Sequence, residues 1–110
     1  MKTHLTKKQN IENYFANNAR SRSSFSIWLT TLKFADWCQS SDIKKTFGSS
    51  DLLGNSSNRV VFDIGGNNCR MICKYYFGFK QVHLFVYWIG SHAAYDDLYG
   101  KNQQYTINIY

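Results

Sequence analysis

The sequence predicts an α+β domain, with two N-terminal helices packed on a curved antiparallel sheet of three to five strands. Three observations carry that expectation. Apolar residues recur at helical spacing early in the chain, as in Phe25, Trp28, Leu29 and Leu32. From Arg59 to Asp96, three runs rich in β-branched and aromatic residues are divided by GGNN and GFKQ. A length of 110 residues supports one hydrophobic core, so a single domain over 1–110 is expected.

The elements follow in order. Lys2–Leu5 is long enough for a short edge strand. Thr6, with Gln9 three positions on, is an N-cap candidate for a helix whose stripe is Ile11, Tyr14, Phe15 and Ala19. The polar run NNARSRSS ends that helix, because asparagine and serine compete for backbone hydrogen bonds in turns. A second helix then starts after Ser23 or Ser24 and runs to about Trp37 or Cys38. Ile43 and Phe47 fit one helical turn, and GSSDLLGNSSN reads as an exposed loop.

Alternation divides the sheet residues between two faces. Val60, Phe62, Met71, Cys73, Val82, Leu84, Val86 and Trp88 form an apolar face for the helices. Arg70, Lys74, His83, Phe85 and Tyr87 fall on the other. Gly65 and Gly66 supply the positive φ values that a hairpin turn needs. The tail residues Tyr105, Ile107 and Ile109 alternate with polar ones, which suggests an added edge strand.

Charge narrows the function. Lys and Arg number 13 against 7 Asp and Glu, an excess that points to a polyanionic partner. The apolar runs are too short to span a bilayer, and the N-terminal MKTHLTKKQ does not resemble a signal peptide. No membrane association and a cytoplasmic location are therefore expected. Three cysteines fit reduced thiols, and Cys69 and Cys73 lack the two-residue spacing of structural zinc sites. Neither a metal nor a cofactor is expected.

Cations interleaved with rings suit single-stranded nucleic acid, since Lys and Arg neutralise phosphate while planar side chains stack on exposed bases. His83, Phe85, Tyr87 and Lys80 are the candidates, with Asn67 in the preceding turn. The same face also reads as an ordinary exposed sheet whose rings make cross-strand pairs. His92 and Tyr95 follow the third strand at a spacing of three. Attack of an RNA 2′-hydroxyl on its neighbouring phosphate needs a base, an acid and cations, which Arg70, Lys74, His92 and Tyr95 supply as residue types.

These residues carry a family resemblance. RVVFDIGGNNCRMICK followed by IGSHAAYD resembles the HigB-type toxins of bacterial toxin–antitoxin systems. The shared pattern comprises Asp63-Ile64, Asn67, Arg70, Lys74, Gly90-Ser91-His92, Tyr95 and Asp96. DWCQSSDIKKTFGS also resembles the family's Trp-containing segment, so the likeness covers residues 35–98 well and the first helices loosely.

The resemblance implies a RelE-like fold and a metal-independent endoribonuclease that cleaves messenger RNA, usually on the ribosome. It implies catalytic roles for Arg70, Lys74, His92 and Tyr95. It further implies neutralisation by a helix-turn-helix antitoxin (HigA-type), with operator DNA contacted only through the antitoxin complex. Two positions depart from the pattern: Tyr87 stands where arginine is frequent, and Ala94 where glutamate is. The lost arginine is a lost phosphate clamp, for which Lys80 or Arg59 would have to substitute. The alternative is an RNA-, ribosome- or antitoxin-binding module without nuclease activity.

Overall fold

The computed structural model describes residues 1–66 and 68–109. Strand β1 (Lys2–Thr6) leads into helix α1 (Lys8–Ala16), which turns Ile11 and Phe15 inward. Thr6 belongs to the strand, and Lys7, at φ 65°, stands at the helix start in place of the expected threonine cap. Helix α2 (Ala19–Phe34) begins five or six residues earlier than the polar run suggests. Ser21 is buried there, its hydroxyl 3.4 Å from Cys69 Sγ. A tertiary contact thus outweighs the local turn preference of serine.

The two helices cover one face of the sheet through rings. Phe15 stacks on Phe25 at 4.4 Å, and Trp28 meets Phe62 edge-on at 5.2 Å. Each such side chain contributes about 1.5–3 kcal/mol on burial, so this layer dominates the fold. Helix α3 (Ser41–Thr46) pins the connection by burying Ile43, while Trp37 Nε1 donates to Thr46 Oγ1 at 2.8 Å.

The sheet has the order β1-β5-β4-β3-β2, with β2 (Asp51–Leu53), β3 (Arg59–Ile64), β4 (Cys69–Phe77) and β5 (Gln81–Ser91). Strands β2 to β5 are antiparallel, but β1 pairs with β5 in parallel, so the sheet is mixed. Strand β2 lies in a stretch whose composition reads as loop; its pairing with β3 and the burial of Leu53 hold it extended. Gly65 and Gly66, at φ 73° and 64°, make the β3–β4 turn.

A bulge corrects the expected faces. Ile72 pairs with Trp88, whereas Cys73 pairs with Val86, so Tyr87 is the extra residue of β5. One inserted residue reverses the alternation beyond it. Val60, Phe62, Met71, Cys73, Val82, Leu84 and Val86 face the helices as expected, but Ile89 joins them and Trp88 turns to the opposite side.

That opposite side carries a second, smaller core. Helix α4 (His92–Gly100), capped where Ser91 Oγ accepts from Ala94 N at 3.1 Å, forms where only a corner was expected. Its Tyr95 and Leu98 pack on Leu53, Val61, Ile72 and Trp88, and the tail residues Tyr105 and Ile107 close the cluster. Among the described residues the tail adds no strand to the sheet. It crosses the face instead, joined where Ile109 N donates to the Tyr87 carbonyl at 2.9 Å.

Candidate nucleic-acid interface

Register places the side chains of the face opposite α1 and α2 in rows. Asp63, Arg70 and Gly90 form the row nearest the β3–β4 turn. Next come Val61, Ile72 and Trp88; then Arg59, Lys74, Phe85 and Thr6; then Tyr76, His83 and His4. Helix α4 and the tail cover the second row and part of the third, so the face has two open ends.

At one end, the Arg70 guanidinium lies over the Tyr95 ring, 5.1 Å from its centroid. Arg70 does not bridge to Asp63, its register partner: Arg70 Nε and Asp63 Oδ1 are both buried without a hydrogen-bond partner among the described residues. Tyr95 is only 4% exposed. Burial first, and the nearby Asp51 carboxylate second, push its phenol up to about 12, with Arg70 opposing them. At neutral pH this hydroxyl is protonated, able to donate a hydrogen bond and unable to act as a base.

His92 opens α4, with Nδ1 3.1 Å from Asp96 Oδ2 one turn on. A proton held on Nδ1 by that carboxylate leaves Nε2 as the nitrogen that accepts another. The Gly90-Ser91-His92 segment therefore does three structural jobs: Gly90 makes room for the Trp88 indole, Ser91 caps the helix, and His92 starts it.

The other end is a ring platform. His83 and Phe85 stack at 6.1 Å, and Tyr76 and His4 each lie 6.1 Å from His83. Lys74 sits between Arg59 and Phe85 in register, and among the described residues no hydrogen bond or ion pair reaches it. Lys80 is exposed in the turn between β4 and β5, beside the exposed Phe79. Sequence reasoning missed His4. Its place beside His83 depends on a parallel pairing between residues 79 positions apart, for which no local signal exists.

The four residues proposed as catalytic are not gathered at one point. Arg70 and Tyr95 touch, and His92 lies on Tyr95's helix. Lys74 is four strand residues from Arg70, about 13 Å along β4, with Ile72 between them under the second core. Tyr87 is half-buried at the bulge beneath the Arg59 guanidinium, 4.7 Å from its ring centroid. Arg59 is itself buried, so it offers no open clamp in this arrangement. Asn67 lies outside the described residues.

A groove of about 550 Å³ runs between β1 and α2, lined by Thr3, His4, Leu5, Leu29 and Leu32 among others, and neither Arg70 nor His92 lines it. The rows of cations and rings form a surface rather than an enclosure, which suits an extended chain better than a small molecule. Cys69 and Cys73 are buried on the helix side, and desolvation raises the Cys73 thiol far above its usual value. Among the described residues, no three His, Cys, Asp or Glu side chains converge as metal ligands. No helix among them is long and apolar enough to cross a membrane.

Comparison with known families gives one finding. The model of a family described as HigB_toxin, the RelE-like toxic component of a toxin-antitoxin system, matches residues 21–98. The matched segment runs from α2 into α4 and holds both ends of the interface except His4, leaving β1, α1 and the tail outside it. No curated protein matches the chain.

Proposed function

This chain belongs to the HigB toxin family, the RelE-like toxic components of toxin–antitoxin systems, and from that premise we propose that it is a messenger-RNA endonuclease acting on the sheet face opposite α1 and α2. The observation that carries this reading is Lys74, a cation whose side chain has no partner among the described residues, in register between Arg59 and the Phe85 ring. A single strand of RNA laid along β4 finds phosphate partners in Arg70 and Lys74 and stacking partners in Phe85 and His83, while Tyr87 contributes from beneath the Arg59 guanidinium. Lys80 extends the basic track. Asn67, in the turn beside Arg70, completes the RNA-binding set by sequence position.

The chemistry is intramolecular. The RNA 2′-oxygen attacks the adjacent phosphorus, the P–O5′ bond breaks, and a 2′,3′-cyclic phosphate and a 5′-hydroxyl result. His92 Nε2, with its ring oriented by Asp96, exchanges the proton. Arg70 stabilises the charge that develops on the phosphorane. Tyr95 supports Arg70 from beneath, and its protonated phenol is a hydrogen-bond donor. Lys74 fixes a phosphate further along the strand. This scheme uses no metal or cofactor.

The partners follow the same reading: messenger RNA on the ribosome as target, and a helix-turn-helix antitoxin that neutralises the toxin and carries the pair to operator DNA. Expression without antitoxin should arrest growth, and Arg70→Ala or His92→Ala should relieve the arrest. Purified protein should cut message in the presence of a chelator, with ribosomes added or omitted to test dependence on them. Harmlessness of the folded, abundant wild-type chain would sink the proposal.

One observation favours a second reading. Ile72 and Trp88 separate Lys74 from Arg70, and Tyr87 brings no charge between them. A module that binds RNA, ribosome or antitoxin without cutting would tolerate that separation. It would give salt-dependent RNA binding with no new message ends.

A further inference from the structure

We propose that Arg59 and Lys74 form a binding site for an RNA phosphate, and that the chain's own C-terminal segment covers this site until RNA displaces it. The inference rests on the RNA-binding reading above and adds both a residue pair and its regulation.

Arg59 and Lys74 stand directly opposite each other across β3 and β4, on the same face. Like charges so placed repel. Among the described residues no carboxylate forms an ion pair with either. Arg59 Nη1 instead donates to two tail carbonyls, Gln104 at 3.2 Å and Ile107 at 2.7 Å. Those oxygens carry partial charge where a phosphate carries a full one. A charge-assisted hydrogen bond is about twice as strong as a neutral one, and the guanidinium fork matches phosphate geometry. The Tyr87 ring already holds the guanidinium at 4.7 Å, and Phe85 is the next register partner of Lys74. A nucleotide bound here would set its phosphate on the cations and its base on Phe85.

The cover is weakly held. Beyond the two bonds to Arg59, it is tied to the sheet where Ile109 N donates to the Tyr87 carbonyl at 2.9 Å. Tyr105 and Ile107 are only partly buried, and Ile109 is 67% exposed. Gln104 is buried with Oε1 lacking a partner among the described residues, which penalises the closed state. Tyr105 and Ile107 pack at the margin of the second core, and a segment held at such a margin opens at lower free energy than the core strands. The family match ends at residue 98, so both cations lie within the shared body and the covering segment lies outside it.

The test uses the full chain and an unstructured oligouridylate of about ten nucleotides, within the range of single-strand site sizes. Saturating RNA should speed hydrogen exchange at the Ile109 amide. Ile109→Pro removes that donor alone and should tighten RNA binding about five-fold. Deletion of 103–110 should tighten it about ten-fold and steepen the salt slope by about 0.7, the value of one added phosphate contact to a single strand. Adding Arg59→Gln to either variant should abolish the gain. If RNA binds but leaves the Ile109 amide protected, and Ile109→Pro binds no tighter, the cover is overturned while the RNA reading stands. If no form binds RNA at low salt, both fall. Should the deletion fail to fold, exchange in the full chain and the proline variant decide the matter.

Discussion

The indole of Trp88 lies against the main chain of Gly90: a Cβ at position 90 would stand 2.4 Å from Cζ2 and 2.6 Å from Cη2 of that ring. Trp88 is turned to this side by the bulge at Tyr87 and is held there by Tyr95, 6.2 Å away between ring centroids. The glycine that precedes the Ser-His corner is thus required by a tryptophan two residues earlier. The same contact seats α4, and with it Tyr95 under Arg70.

Gly90→Ala should therefore destabilise the fold by about 1–3 kcal/mol, the usual cost of overpacking. Urea unfolding would measure it. Because Trp88 can yield only by pushing Tyr95 and α4, RNA cleavage should fall even where the variant remains folded. Unchanged stability and activity would show that the indole has another place to go.

The ring platform predicts selective losses. Phe85→Ala should weaken single-stranded RNA binding by about 1–3 kcal/mol, as expected for one stacked base, with little change in salt dependence. Lys74→Gln should also weaken binding but flatten the salt slope by about 0.7. A titration at several salt concentrations separates the two, and identical slopes for both variants would contradict the division between stacking and phosphate contacts.

Asp96 should matter through His92. Asp96→Asn keeps the shape of the side chain but weakens its hold on the Nδ1 proton, and should lower cleavage about ten- to a hundred-fold through misorientation. Both side chains are partly solvent-exposed, so the pair adds little to stability. The melting temperature should hold while the cleavage rate falls. A rate matching wild type would remove Asp96 from the scheme.

Tyr95 makes a pH prediction. Its folded pKa is raised to about 12 from an ordinary value of 10.0, chiefly by burial. The unfolded chain therefore releases this proton first. The stability that the buried neutral phenol contributes is complete below pH 10 and is lost as the pH rises through 10 to 12. Tyr95→Phe should show a shallower alkaline loss of stability than wild type over that window. Parallel curves for the two proteins would mean that the phenol titrates normally.

Much of the fold was legible because its signals are local. Helical spacing marked Ile11, Phe15, Phe25, Trp28 and Leu32, and all five are buried. Alternation up to Val86 was correct for the same reason. It failed at Trp88 and Ile89 because the bulge is set by how β5 pairs with β4, which Tyr87 does not announce. The start of α2 was hidden because Ser21 becomes helical through its contact with Cys69, 48 residues away. The tail did alternate, yet its carbonyls found Arg59 rather than a strand edge.

The amino-acid sequence alone determined the α+β class, the apolar face that meets the helices, the basic character of the domain and the motif that carries its family resemblance. All of these depend on spacing along the chain. Only the tertiary structure decided which sheet residues remain accessible. It folded α4 and the tail over the second row, buried Arg59 and Tyr95, brought His4 beside His83, and set Lys74 and Arg70 at opposite ends of the open face. Accessibility results from packing between segments distant in sequence, and a one-residue bulge is enough to turn a strand's side chains to the other face.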